Sequence, residues 1–166
     1  MSITLKDFNT HQTAAVKELI ASCAPINSWS AALLARRPYS SRQDLLQMAS
    51  SLTQDWTDKE VDGALAHHPR IGERAKGDSA EARASRAEQA ALGEDAAARE
   101  EWVAANQDYE RTFDRIFLIR AKGRSREDMM AQLRQRLNND AATEAQVRRE
   151  QLAEIALLRL EDAVTD

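Results

Sequence analysis

What the chain lacks bounds it first. It has a single cysteine, Cys23, and therefore no internal disulfide. CxxC and other clustered ligand spacings are also absent. Five glycines and three prolines give too little punctuation for a fold of many short strands, and aromatic residues are scarce at 5%. No apolar run approaches the length of a membrane span, and the first residues lack the charged-then-apolar pattern of a secretory signal. No Lys/Arg run is long enough to form a nucleic-acid footprint, and the net charge of −4 comes from interspersed residues of both signs. There is no Gly-rich phosphate loop, no H-E-x-x-H and no G-x-S-x-G. Neither nucleic acid nor membrane is expected as a partner, and a cytoplasmic location is the default. The tail Val164-Thr165-Asp166 is not a peroxisomal Ser-Lys-Leu address.

What is present is helical. Alanine, leucine, glutamate, arginine and glutamine dominate, all good helix formers, in a chain of 166 residues that suits one core. The expectation is an all-α, single-domain irregular helical bundle over residues 1–166. Asn9 with Gln12 reads as a helix start, followed by a stripe of Val16, Leu19, Ile20 and Cys23 that stops before Pro25. On that stripe Cys23 reads as a core residue. A short helix from Trp29 carries Leu33 and Leu34 and ends at Arg36-Arg37-Pro38. Ser40 or Ser41 caps a helix with Leu45, Leu46 and Met48, and Thr57 starts another with Val61 and Leu65 that ends at His67-His68-Pro69. Residues 72–84 are polar and read as a loop. The spacing of Trp102, Ala105, Tyr109, Phe113, Ile116 and Phe117 predicts one continuous helix through Ile119, although Ile116 to Ile119 alone would pass for a buried strand. Ser125 with Asp128 starts a helix bearing Met129, Leu133 and Leu137, and a final helix runs through Val147, Leu152, Ile155, Leu158 and Leu160.

Three residues draw attention on chemical grounds. His68 sits where Pro69 breaks a helix, and an imidazole with a pKa near ~6.5 suits proton transfer at neutral pH. From pattern alone, the plainer reading is a histidine that caps the last carbonyls of that helix. Ser85-Arg86-Ala87-Glu88 is a capping-box pattern, which places Glu88 and Gln89 at a helix start and by itself asks for no chemistry. Arg159 projects between the directions of Leu152 and Ile155, where a charge either snorkels to the edge or meets an anion. His67 and His68 are adjacent and His11 is remote, so a metal site is not expected.

These residues also carry a resemblance. Trp29 with Arg37-Pro38-Tyr39, then His68-Pro69-Arg70-Ile71-Gly72, then Ser85 to Gln89, then Tyr109 to Ala121 followed by Gly123-Arg124-Ser125, form an ordered set over about Leu5 to Leu160. The set resembles the 2-oxo-4-hydroxy-4-carboxy-5-ureidoimidazoline (OHCU) decarboxylases, whose fold is a single all-α domain. The resemblance implies decarboxylation of OHCU to (S)-allantoin in urate breakdown, with His68, Glu88 and Arg159 as catalytic residues. It implies substrate contacts from Pro69, from Ser85, Arg86, Ala87, Glu88 and Gln89, and from Phe117, Leu118, Ile119, Arg120 and Ala121, the latter partly through the backbone. Residues 72–84 then become a pocket wall. Asp114 stands where the family usually has glycine, Arg120 where a small residue or cysteine is common, and Ala90 where glycine often follows.

The implied chemistry needs no cofactor. The substrate ring accepts the electron pair released with carbon dioxide, so the protein must supply orientation and a proton at one face. A second copy of the chain is retained as a partner beside the small-molecule substrate. The competing class is a helical ligand-binding or adaptor module that kept the fold and lost the chemistry. It would lack His68 or Glu88, and both are present. A different acid–base enzyme on the same scaffold is a third reading, resting on Arg120 and Asp114.

Overall fold

The computed structural model describes residues 2–66, His68, Arg70, Arg83, Ala84 and 96–166. Chain order runs β1 (Ile3–Thr4), α1 (Leu5–Thr10), α2 (Thr13–Cys23), α3 (Asn27–Ala35), α4 (Arg42–Thr53), α5 (Asp58–Leu65), α6 (Ala96–Phe113), α7 (Arg126–Arg136), α8 (Ala141–Ala163) and β2 (Val164–Thr165). The all-α expectation holds, apart from the parallel pairing of β1 with β2, which sets Ile3 opposite Val164 and Thr4 opposite Thr165. Among the described residues, no helix is long and apolar enough to cross a membrane. The chain divides into two compact units, Met1–Ala66 with Leu152–Asp166, and His67–Gln151.

In the first unit, local chemistry sets the helix starts. Thr4 accepts from the Asp7 amide, Ser41 from the Asp44 amide, and Thr57 with Glu60 completes a capping box. Ser28 and the Thr57 backbone both bond the Glu60 carboxylate and hold its pKa below the usual value. The expected stripe on α2 is there, with Val16, Ile20 and Cys23 buried. Trp29 donates its indole N–H to the Ala49 carbonyl at 3.1 Å and meets Trp56 edge-on at 5.5 Å.

The reading of Asn9 as a helix start is corrected. Asn9 lies inside α1, and its side chain clasps the Tyr39 backbone, donating to the carbonyl at 3.0 Å and accepting from the amide at 2.8 Å. An amide side chain satisfies a distant peptide as readily as a helix end, and sequence spacing does not distinguish the two. Arg37 reaches the Phe8 carbonyl (3.1 Å), the His11 carbonyl (3.0 Å) and the Thr13 hydroxyl (3.2 Å), supplying donors where α1 ends. Arg42 does the same for the end of α8 through the Glu161 and Val164 carbonyls.

The second unit packs α6 on α7 around Trp102, Ala105, Tyr109, Phe117, Ile119, Ala121, Met129, Met130 and Leu133. Ser125 caps α7 as its sequence predicts, accepting from the Asp128 amide at 3.0 Å. The helix expected to continue through Ile119 does not. It ends at Phe113, because Asp114 takes a left-handed backbone (φ 55°) with its amide on the Glu110 carbonyl. Residues 116–121 follow as a non-helical run in which Phe117, Leu118 and Ile119 are all buried. A run buried on consecutive residues has no period of its own, so the rhythm upstream gave no information about it.

The left-handed backbone at Asp114 is one that glycine, the residue the resemblance leads one to expect here, adopts freely. Left-handed φ costs an L-residue about 1 kcal/mol, less for Asp than for most, and costs glycine nothing. Asp114→Gly is expected to raise the free energy of unfolding by at most about 0.5 kcal/mol, because glycine's entropic penalty in the unfolded chain offsets most of the relief. Urea titration of the two proteins checks this; a fall in the midpoint would show that the Asp114 side chain is itself stabilising.

Candidate functional site

Beneath the run 117–121 lies a buried polar array that the apolar patterning of the last helix concealed. Glu144, Arg148 and Gln151 recur at i, i+4 and i+7 on α8, and all three are buried (1%, 2% and 9% exposed). Val147, between them on the same helix, is half-buried. Arg136, the last residue of α7, donates Nε and Nη2 to Glu144 Oε1 at 2.8 and 2.5 Å. The Tyr109 hydroxyl donates to the same oxygen at 2.5 Å, and Asn139 donates to Oε2 at 3.1 Å. Burial pushes the Tyr109 phenol pKa up and the Glu144 carboxylate adds to this, against the opposing charges of Arg136 and Arg148. The phenol thus stays a neutral donor. Sequence reasoning missed Arg136, Glu144, Arg148 and Gln151. For the three on α8, the signal that could have found them was polar spacing on a single helical face.

The array holds the backbone of the run. Arg136 Nη1 donates to the Leu118 carbonyl at 2.8 Å, and its guanidinium lies 4.5 Å from the Phe117 ring centroid. Gln151 Oε1 accepts from the Arg120 amide at 2.9 Å. The Arg124 amide donates to the Ala121 carbonyl at 3.1 Å across a turn in which Gly123 adopts φ 80°, a conformation that favours glycine. Ile119 is 1% exposed, and among the described residues no hydrogen bond engages its N–H or its C=O. A buried peptide group without a partner is costly, and a polar ligand would satisfy it. The Arg120 side chain folds along its own loop, donating to the Lys122 carbonyl at 3.2 Å.

The other expected site residues are placed as follows. His68 is half-buried with Nε2 fully enclosed, two residues beyond Ala66, where α5 closes. Arg70, in the same motif, pairs with Glu110 of α6. Pro69 and the whole segment Ser85, Arg86, Ala87, Glu88 and Gln89 lie outside the described residues, as do His67 and nearly all of 72–84. Arg159 belongs to the first unit, is 9% exposed, and donates Nη1 to the Cys23 carbonyl at 3.4 Å. It does not snorkel to the surface. The Cys23 thiol is pushed from 9.0 up to about 12 by burial, which outweighs the lowering effect of Arg159.

Two outcomes follow. Glu144→Ala leaves Arg136 buried without its carboxylate and is expected to cost about 3–5 kcal/mol, read by urea denaturation. A loss below ~1 kcal/mol would mean that water reaches the array. For Cys23, the unfolded thiol ionises near pH 9.0 and the folded one near pH 12. Its contribution to stability is therefore complete below the lower value and is lost as pH rises through that window. A native thiol that reacts with a disulfide reagent as fast as the unfolded one at neutral pH would contradict the burial.

Comparison with known proteins bears on this arrangement. The chain is 28% identical over 169 residues to the uric acid degradation bifunctional protein PucL of Bacillus subtilis (strain 168), covering 98% of this chain and 33% of that protein. It therefore spans about a third of that relative's length. Among solved structures, it resembles an OHCU decarboxylase crystallised in the presence of (S)-allantoin (TM-score 0.72, 20% identity, 87% of this chain and 96% of that one). It also resembles an (S)-allantoin synthase (TM-score 0.69, 16% identity, 98% of this chain and 54% of that one). At such identities the two structures speak for the fold. The model of the OHCU decarboxylase family matches residues 9–161, nearly the whole chain, and the chain belongs to that family.

Proposed function

We propose that this protein decarboxylates OHCU to (S)-allantoin, without a metal or organic cofactor, as one functional domain over residues 1–166 in the cytoplasm. The observation that carries the reading is the family match over 9–161, a range that contains His68, Glu88 and Arg159. The unpartnered Ile119 peptide supports it, since a ureido-substituted ring offers both amide donors and carbonyl acceptors.

The reaction breaks the bond between the ring carbon and its carboxylate. The electron pair passes into the adjacent carbon–nitrogen double bond as carbon dioxide leaves, and the resulting ene intermediate is protonated on carbon. The ring is its own electron sink, so the protein's part is to bind, orient and protonate. His68 takes the acid–base role, Glu88 bonds the substrate hydroxyl or His68, and Arg159 orients anionic or carbonyl groups. Ser85 to Gln89, with Pro69, form one contacting segment, and Phe117 to Ala121 form the other.

Free in water, the intermediate takes a proton at either face and gives racemic allantoin; a fixed donor permits one face. The purified protein is expected to give (S)-allantoin alone from freshly generated substrate, followed by optical activity, and to keep that activity after exhaustive chelation. His68→Gln should lower the rate by roughly 10²–10⁴ and let the product drift toward the racemate, while His67→Gln should be nearly silent. Faster substrate loss with racemic product would refute facial control by this protein, and equal losses for both histidines would return His68 to a structural role.

A further inference from the structure

Resting on the function proposed above, we infer that Gln151, seconded by Arg136, is a positioning residue of the reaction. Together they fix the orientation of two consecutive peptide planes, so that the N–H and the C=O of Ile119 both face away from the helices and toward the substrate.

The argument begins with peptide geometry. Residues 117–121 contain no cis peptide, and in a planar trans peptide the C=O and the following N–H point in opposite directions. The Leu118 carbonyl is held by Arg136 Nη1 at 2.8 Å, so the Ile119 N–H in the same plane is turned away from Arg136. The Arg120 amide is held by Gln151 Oε1 at 2.9 Å, so the Ile119 C=O in that plane is turned away from Gln151. One residue thus displays a donor and an acceptor with their directions set from behind. This is the pattern that pairs with a ligand amide or ureide offering the complementary C=O and N–H.

The run has no helical bonds of its own, so nothing local sets these planes. The clamps are themselves immobilised. Arg136 is locked by two hydrogen bonds to buried Glu144, and Gln151 is buried two turns further along the same face of α8. A rigid supporting group keeps the backbone close to its productive geometry, and a misplacement of about 1 Å in such a site can cost 10²-fold in rate.

The decisive pair of variants is Gln151→Met and Gln151→Glu. Methionine keeps the length and removes the acceptor; glutamate keeps an acceptor oxygen at the same reach, with Arg148 one turn away. Each is compared with wild type for melting temperature, for exchange of the Arg120 amide by NMR, for kcat and KM separately, and for the enantiomeric composition of the allantoin. Gln151→Met is expected to speed exchange at Arg120, to lower kcat/KM by about tenfold with the loss mainly in KM, and to lower the excess of the S product. Gln151→Glu should recover most of each quantity. Arg136→Lys keeps a cation for Glu144 but loses the second prong to Leu118, and it carries the same expectation if Gln151→Met does not fold.

A purely structural role would lower the melting temperature and leave product chirality and KM intact in the folded fraction. That result overturns the inference, as do Met and Glu variants that behave alike. A wild-type protein that fails to accelerate loss of substrate overturns the functional reading and this inference together. An active, enantioselective wild type with an unchanged Gln151→Met overturns this inference alone.

Discussion

The second unit is organised by one buried carboxylate. Glu144 is 1% exposed, and an ion in that position is tolerable only when paired and saturated with hydrogen bonds. Its two oxygens receive Arg136, Tyr109 and Asn139, which arrive from the end of α7, from α6 and from the turn before α8. A single requirement therefore fixes three elements against one another. Replacing the array with apolar side chains of similar volume could give comparable stability. The array does something such a core would not do: Arg136 has a donor left over, and it goes to the Leu118 carbonyl. The same ion pair that closes the core thus fixes the path of a non-helical segment.

That segment has the properties a binding backbone needs. It is buried, so a hydrogen bond made there is not diluted by competition with water. It lacks helical bonds, and among the described residues the Ile119 N–H and C=O are left available. It is bounded at both ends by residues that accept left-handed φ, Asp114 before it and Gly123 after it. These two positions stop α6 and turn the chain into α7, which leaves a short span whose direction is set by Arg136 and Gln151. The first unit uses arginine differently. Arg37 and Arg42 satisfy carbonyls where α1 and α8 end, so the Arg-Pro-Tyr motif there reads as architecture.

Family membership and geometry answer different questions about this protein. The match over 9–161 supplies the family, and the proposed roles of His68, Glu88 and Arg159 rest on the motif resemblance. The described geometry concerns a different segment, where Phe117 to Ala121 offer backbone in place of reactive side chains. Motif comparison finds side chains because sequence records them. It is blind to a peptide group, which every residue carries, and to the partner that decides which way that group points.

Much of the fold was legible in the sequence. Helix-forming composition, the stripe of Val16, Ile20 and Cys23, and the caps at Ser41, Thr57 and Ser125 are all local, and local propensity with one apolar face decides them. The ordered motifs likewise placed the chain in its family. Tertiary structure alone decided the rest. Asn9 is a clasp for Tyr39 because a peptide thirty residues away needed a partner. Ile116 to Ala121 leave the helix because Asp114 turns left-handed, and Phe117, Leu118 and Ile119 are buried in succession, which removes the periodicity that sequence reading depends on. Glu144 and Gln151 face inward because their polar atoms are matched by Arg136, Tyr109 and Asn139 and by the Arg120 amide. Burying a polar group is favourable only when its partner arrives, and the arrival of a partner is a property of the folded chain.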